Sequence, residues 1–161
     1  MIKVNDYFGL GDEAVTLEVA AQKLGISDAE ITVIKNDDML DQVGSKDYVV
    51  NGLLHKTNIP GNHFNLYLRQ DANEPLRSTL CHEMLHLRQY IDGDLLVDIE
   101  HKRFIWKGKD YPYSYPYMQR PWEQEVFRGQ TKFVSEVRKS LPKPTCHLLD
   151  WLTKNKNNTK A

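Results

Sequence analysis

Apolar positions recur at helical spacing in three stretches of this chain. Residues 12–24 form the first, and Gly25 follows it as a stop signal. Residues 74–91 form the second and consist largely of long, unbranched helix formers. Residues 121–141 form the third, which begins with a proline, a residue favoured at the first helical position. We therefore predict three helices, followed by a short fourth over residues 146–152.

Strand patterns lie between the first two predicted helices. Residues 31–34 are short and β-branched, which favours a strand. Residues 48–55 form a second extended segment, interrupted at Asn51 and Gly52, a pair favoured in tight hairpin turns. Apolar and polar residues alternate over residues 63–70, which predicts a strand with one buried face.

Residues 104–107 and 109–113 flank Gly108 and predict a small hairpin, which a loop rich in Tyr and Pro connects to the third helix. Together these segments predict an α+β fold, with a helix and a small mixed sheet ahead of the second helix. A length of 161 residues fits one domain, placed at residues 1–152. The polar tail 153–161 has nothing apolar to bury and is expected to lack fixed structure.

The composition indicates an ordinary globular protein, with 40% hydrophobic and 27% charged residues. No run approaches the roughly 18 apolar residues of a membrane helix, and no leader pattern opens the chain. We therefore expect a soluble protein with no membrane partner. Two cysteines, Cys81 and Cys146, are too few for a disulfide framework and favour a reducing cytoplasm.

Charge is unevenly distributed, although the net charge is −1. Residues 1–100 carry 17 acidic and 8 basic side chains, whereas residues 101–161 carry 5 and 13. Two faces that attract each other within the fold would account for this most simply, and self-association or a basic patch for an anionic partner would also account for it. The basic part contains no recognised nucleic-acid-binding motif, which argues against a nucleic-acid partner.

His82, Glu83 and His86 form a His-Glu-x-x-His motif on the second predicted helix. Histidines four residues apart lie one turn apart on the same helix face and can bind one zinc ion together. Glu83, rotated by roughly 100° from His82, would stand beside the ion, where the base for an attacking water belongs. Cys81 is rotated away by a similar angle and is expected to be a packing residue. The simpler alternative is a pair of solvated histidines on an amphipathic helix, but a chance match to the motif is on the order of a percent.

A catalytic zinc ion takes a third protein ligand and leaves one position open. Glu123 borders the apolar stripe of the third predicted helix, while Glu125 turns toward Arg128 and Lys132. An unpaired carboxylate on the inward side is costly unless it meets a cation, so we favour Glu123 and keep Glu125 as the alternate ligand. The alternative for Glu123 is an ion pair with Arg120 or a favourable place in the first helical turn. The remaining candidates are Asp98, Glu100, His101 and His147.

The HEMLH helix, followed 37 residues after His86 by Glu-x-Glu-Val, resembles the compact form of the gluzincin branch of zinc metallopeptidases. The ImmA/IrrE-like and minigluzincin proteins are similar. So are small peptidase-like proteins of phages and bacteria, in which a Trp-x-Gly-Lys hairpin, a Tyr/Pro loop and Arg-Pro-Trp-Glu recur. The corresponding residues here are 106–109, 113–117 and 120–123.

This resemblance covers about residues 64–137 and implies a zincin-like domain with one zinc ion per chain. It also implies that Glu123 binds the metal as part of a Glu-x-x-Ala-like motif, in which this chain has Val126 where alanine is usual. In that family the strand before the HExxH helix lines the substrate cleft, which corresponds to residues 63–70.

The expected chemistry is peptide hydrolysis. Zinc would lower the pKa of bound water to about 7 and polarise the scissile carbonyl, while Glu83 moves the proton to the leaving amine. A donor to the oxyanion is expected among Tyr113, Tyr115 and Tyr117, of which the last two are closer to the third helix; each could equally be a packing residue. A metal-bound histidine usually donates its other N–H to a nearby acceptor, and the candidates are Asp92, Asp94 and Asp98.

The main alternative is a non-catalytic protein that keeps a peptidase-like fold and its zinc site as a structural or regulatory part, for example in a phage particle. Glu83 favours the enzyme, because a metal site kept for stability alone needs no base beside it. The expected partner is a peptide or protein substrate, with self-association or assembly into a larger particle in addition. The expected location is the cytoplasm of a bacterial or phage-infected cell, or the virion.

Overall fold

The structure is a computed structural model, and it describes residues 1–6, 11–45, 48–70 and 76–142. In chain order the elements are β1 (Lys3–Asp6), α1 (Gly11–Leu24), β2 (Glu30–Lys35), α2 (Asp37–Val43), β3 (Gly52–Lys56), β4 (His63–Leu68), α3 (Leu76–Ile91), β5 (Leu95–Asp98), β6 (Arg103–Trp106), β7 (Lys109–Pro112), a 3₁₀ turn (Tyr117–Gln119) and α4 (Pro121–Ser140). The predicted α+β class is confirmed. The predicted helix at residues 146–152 and the tail 153–161 lie outside the described residues. Within the described ranges, no helix is long and apolar enough to cross a membrane.

The larger sheet has the strand order β1-β2-β4-β3, in which β1, β2 and β4 are parallel and β3 is antiparallel to β4. The alternation predicted for β4 is confirmed, because Phe64, Leu66 and Leu68 are buried. Ile31 and Val33 of β2 lie beside Phe64 and Leu66 on the same face. One face of the sheet therefore faces the core, and β3 forms an edge of the sheet.

Helices α1, α3 and α4 pack together and share one core with this buried face of the sheet. Their apolar positions recur at the predicted helical spacing and join the strand residues in one core. At the end of α3, Gly93 has a φ of 76°, and the N–H groups of Gly93 and Asp94 donate to the carbonyls of Tyr90 and Gln89. This ending requires a left-handed residue, which explains the glycine. The core residues of the helices are Leu17, Ala20 and Ala21 of α1, Leu80, Cys81, Met84 and Leu87 of α3, and Phe133 and Val137 of α4.

The smaller sheet has the order β5-β6-β7, and its last two strands are the predicted hairpin. Lys107 and Gly108 both have positive φ values, 47° and 81°, as a two-residue type I′ turn requires. Leu95 and Trp106 of this sheet pack against Trp122 of α4. The smaller sheet is therefore attached to the amino-terminal end of α4.

Some elements differ from the prediction. Strands β1 and β5 and helix α2 were not predicted, although Asn36 gives α2 an N-cap by accepting from the N–H of Met39. The hairpin turn predicted at Asn51 and Gly52 is wrong, since Gly52 begins β3 and the connection to β4 lies at residues 57–62. The glycine at position 52 lets β3 lie close to α3, because a Cβ there would lie 2.6 Å from Cγ2 of Thr79 on α3.

The acidic and basic parts of the chain are joined by few ion pairs. Among the described residues, one ion pair joins an acidic side chain of residues 1–100 to a Lys or Arg of residues 101–161. It is formed by Asp98 and Arg103. Ion pairing thus gives little support to two mutually attracting faces. Self-association and a basic patch for an anionic partner stay predictions.

Candidate metal centre

Four side chains from two helices meet between α3 and α4. His82, Glu83 and His86 come from the middle of α3, and Glu123 comes from the first turn of α4, where the helix dipole favours a carboxylate. Glu83, His86 and Glu123 are only 5%, 7% and 7% exposed, because α4 covers this side of α3. The alternative of two solvated surface histidines is therefore wrong for His86.

The possible ligand atoms form a nearly equilateral triangle. Nε2 of His82 and Nε2 of His86 are 3.1 Å apart, and each lies 3.2 Å from Oε2 of Glu123. Zinc bonds of ~2.0–2.1 Å in a tetrahedral site would separate its ligand atoms by ~3.3 Å, so the triangle suits one ion. These residues are the one group of three or more metal-ligating side chains close enough to share an ion within the described part of the chain.

The other candidate ligands lie elsewhere. The carboxylate of Glu125, predicted to turn toward Arg128 and Lys132, instead accepts a hydrogen bond from Gln89 at 2.7 Å and lies 3.5 Å from Lys107. The ion pair considered between Glu123 and Arg120 is not formed, since the guanidinium donates to the carbonyls of Tyr113 and Tyr115. Three further candidates also lie outside the cluster, since Asp98 and His101 pair with each other and Glu100 is exposed. Cys81 belongs to the core, as expected. His147 falls outside the described residues.

The histidines are held by glutamines and not by the predicted aspartates. Nδ1 of His86 lies 2.9 Å from Oε1 of Gln89, and Nδ1 of His82 lies 2.9 Å from Oε1 of Gln130. The prediction of Asp92, Asp94 or Asp98 as acceptor is wrong: Asp92 pairs with Arg88, Asp98 pairs with His101 and Arg103, and Asp94 contacts neither site histidine. Gln89 is on α3 one turn after His86, a spacing that the sequence contained. Gln130 comes from α4, so no local pattern indicated it.

Coulomb interactions within the triangle shift the pKa of each member. Burial acts to lower the pKa of His86, but the hydrogen bond and charge of Glu123 outweigh it and raise the pKa to about 9. Burial also acts to lower the pKa of His82, but the hydrogen bond with Glu123 and the charge of Glu83 outweigh it and raise the pKa. Burial acts to raise the pKa of Glu123, but its hydrogen bonds with His82 and His86 lower it well below its ordinary value. These shifts favour positive charge on the histidines and negative charge on Glu123 when no ion is bound.

Glu83 is positioned by a backbone group of β3. Its Oε2 accepts a hydrogen bond from the N–H of Leu54 at 2.8 Å. Among the described residues, Leu54 is the donor to this carboxylate. Burial raises the pKa of Glu83, although the positive charges of His86 and His82 oppose this. One carboxylate oxygen is thus fixed, and the other is free to exchange a proton.

Of the predicted tyrosines, the structure brings Tyr117 to the site. Its hydroxyl donates to Oε2 of Glu123 at 3.0 Å, and burial together with the charge of Glu123 raises its pKa, so that it stays protonated. The structure does not bring Tyr115 to the site, because its ring packs against Tyr111 and it lines neither cavity. Tyr113 also lines neither cavity and packs against Phe104.

Two cavities meet at the triangle. One, of about 110 Å³, lies among aromatic and apolar side chains, and the other, of about 450 Å³, opens toward Phe127 and Met118. His82 and Glu83 line both cavities. The strand that borders them is β3 at its Gly52 end, and not the predicted residues 63–70, because β4 lies inside the sheet and β3 lies at its edge.

Comparisons with protein-family models, with curated proteins and with solved structures find no match for this chain. Its function therefore has to be inferred from the residues of the site.

Proposed function

We propose that this chain is a zinc metallopeptidase with a zincin-like, gluzincin-type site. The observation that carries the proposal is the triangle of His82, His86 and Glu123 with the buried carboxylate of Glu83 beside it. Structural zinc sites use four protein ligands, whereas catalytic sites use three and keep one position open. The three ligands found within the described residues fit the catalytic arrangement.

Zinc, when bound, supplies a Lewis acid that polarises the scissile carbonyl and makes water more acidic. Glu83 accepts the proton of the attacking water at Oε1 and passes it to the leaving amine, while the N–H of Leu54 holds Oε2. Burial raises the pKa of Glu83 above its ordinary value, which makes the carboxylate a stronger base. Tyr117 has one O–H, which turns from Glu123 to the oxyanion once the carboxylate holds zinc, and it is the donor for the oxyanion.

The two cavities support a polypeptide as the substrate. His82 and Glu83 line both of them, so space that could hold a polypeptide adjoins the site. The mixture of apolar walls and a few polar groups is typical of ligand sites.

The test compares the native protein with Glu83→Gln and with Glu100→Gln, a matched change at an exposed glutamate. Bound zinc is measured first, followed by cleavage of a broad peptide library. We expect about one zinc per chain in all three proteins and cleavage reduced by at least ~100-fold in Glu83→Gln alone. A native protein that binds no zinc contradicts the proposal. Zinc without any cleavage by the native protein would favour a non-catalytic structural or regulatory role.

A further inference from the structure

Gln89 connects the two helices that carry the site, and its partners determine how its amide is oriented. Nε2 of Gln89 donates to the backbone carbonyl of Trp122 at 3.1 Å and to Oε2 of Glu125 at 2.7 Å. A backbone carbonyl and a carboxylate oxygen are both acceptors, so the NH₂ group has to face them. The carbonyl oxygen of the amide therefore faces His86.

This orientation determines which ring nitrogen of His86 carries a proton. Oε1 of Gln89 can only accept, and it lies 2.9 Å from Nδ1 of His86, so Nδ1 carries the hydrogen. The lone pair of the neutral ring is then on Nε2, the atom that points at His82 and Glu123. Gln89 is only 5% exposed, so water does not readily replace these contacts.

The same amide also acts on the third ligand. Trp122, whose carbonyl it holds, directly precedes Glu123 in the first turn of α4. One side chain thus orients a ligand on α3 and fixes the backbone next to a ligand on α4.

We propose that Gln89 is the positioning residue of the metal centre, which sets the tautomer of His86 and aligns Glu123 with the two histidines. This inference rests on the proposed function in that it takes the triangle as a metal site. Gln130 is the weaker counterpart at His82. Its amide contacts the hydroxyl of Ser78, which can donate or accept and so does not force one orientation.

The first measurement is zinc affinity, by competition with a chromophoric chelator, for the native protein, Gln89→Leu and Gln124→Leu. Gln124 is the matched control, an exposed glutamine of α4 whose amide contacts the carbonyl of Met118 and none of the three candidate ligands. We expect Gln89→Leu to bind zinc ~10–100-fold more weakly, as is usual when a partner of a metal-bound histidine is removed. Gln124→Leu should match the native protein.

The second measurement does not depend on metal and reports the orientation of the Gln89 amide. Nitrogen-15 NMR of the metal-free protein should show slow hydrogen exchange of the side-chain NH₂ group of Gln89, because this group donates to Trp122 and Glu125, whereas the exposed NH₂ group of Gln124 should exchange faster. A Gln89 NH₂ group that exchanges as fast as that of Gln124, or a folded Gln89→Leu that binds zinc as tightly as the native protein, overturns the inference. A slowly exchanging Gln89 amide in a protein without zinc affinity would refute the proposed function and leave the orientation of Gln89 intact.

If Gln89→Leu does not fold, Gln89→Glu is compared with the double variant Gln89→Glu, Glu125→Gln. The single change places two carboxylates, at positions 89 and 125, against each other. In the double change the amide at position 125 donates to the carboxylate at position 89, and the other oxygen of that carboxylate still accepts from Nδ1 of His86. We expect the double variant to bind zinc several-fold more tightly than the single variant. Equal affinities overturn the inference.

Discussion

At the scale of single residues, one carboxylate oxygen organises the site. Oε2 of Glu123 lies 3.2 Å from Nε2 of His82 and of His86 and accepts a hydrogen bond from Tyr117 at 3.0 Å. A buried carboxylate needs such partners, because burial without them costs several kcal/mol. In the metal-free protein the charge on the histidines meets this need, and in the zinc form the ion would.

Glu123→Gln is expected to weaken zinc binding by at least ~100-fold, more than the ~10–100-fold typical of residues that only contact a ligand. The reason is that an amide keeps the shape of the carboxylate and loses its charge. Glu136→Gln, a change at an exposed glutamate of the same helix, should leave zinc binding as it is. Equal affinities of Glu123→Gln and the native protein, measured by titration calorimetry, would show that Glu123 is not a ligand.

The metal-free protein should lose stability as the pH rises from about 6.5 to about 9. The pKa of His86 in the folded protein, about 9, is above the ordinary value of 6.5. Protonated His86 therefore contributes its full stabilisation to the fold below pH 6.5, and this stabilisation is lost as the pH rises through the folded pKa. The raised pKa of His82 acts in the same direction. Urea unfolding curves across this range measure the effect. A free energy of unfolding that stays constant or increases with pH over this range would contradict the raised pKa values of His82 and His86.

At the scale of elements, the position of Glu83 depends on how closely β3 approaches α3. A Cβ at Gly52 would lie 2.6 Å from Cγ2 of Thr79 and 3.4 Å from Cγ of Glu83. The N–H of Leu54, two residues along β3, holds the Glu83 carboxylate. A glycine at the start of β3 therefore allows the strand edge to supply this hydrogen bond.

Gly52→Ala should lower the free energy of unfolding by about 1–3 kcal/mol, the usual cost of an added methyl group in a packed contact. It should also reduce peptide cleavage, because β3 has to move away from Glu83. Adding Thr79→Ser removes the nearest methyl group, Cγ2, and should recover part of both losses. If Gly52→Ala alone is as stable and as active as the native protein, the close approach of the two elements has no functional consequence.

At the scale of the whole molecule, the site joins parts of the chain that are far apart in sequence. His86 and Glu123 are 37 residues apart, and the smaller sheet of β5, β6 and β7 lies between them in the chain. An ion bound by both helices would link the core under α3 to the cluster of Leu95, Trp106 and Trp122. Metal binding should therefore stabilise the fold as a whole.

Free zinc at 100 times its dissociation constant should raise the free energy of unfolding by about 2.7 kcal/mol, provided that the unfolded chain does not bind it. A chelator should reverse the gain, and Glu123→Gln should show none at the same zinc concentration. Chemical denaturation with and without zinc provides the measurement. A native protein whose unfolding is unaffected by zinc would be inconsistent with a bound ion.

Several features were determined by sequence alone because they depend on neighbours along the chain. The spacing of His82, Glu83 and His86 places them on adjacent turns of any helix that includes them. The turn at Lys107 and Gly108 and the amphipathic pattern of α4, with Glu123 at its border, are equally local. These patterns predicted the three long helices, the hairpin and the three side chains that meet in the triangle.

Tertiary structure alone decided the features that depend on contacts between elements. The sheet order placed β3 at the edge beside the cavities and β4 inside the sheet. The packing of α4 on α3 brought Gln130 to His82 and placed Tyr117, and not Tyr115, against Glu123. Hydrogen bonds require separations of about 3 Å, and the period of a helix or strand does not specify such distances between elements that are dozens of residues apart.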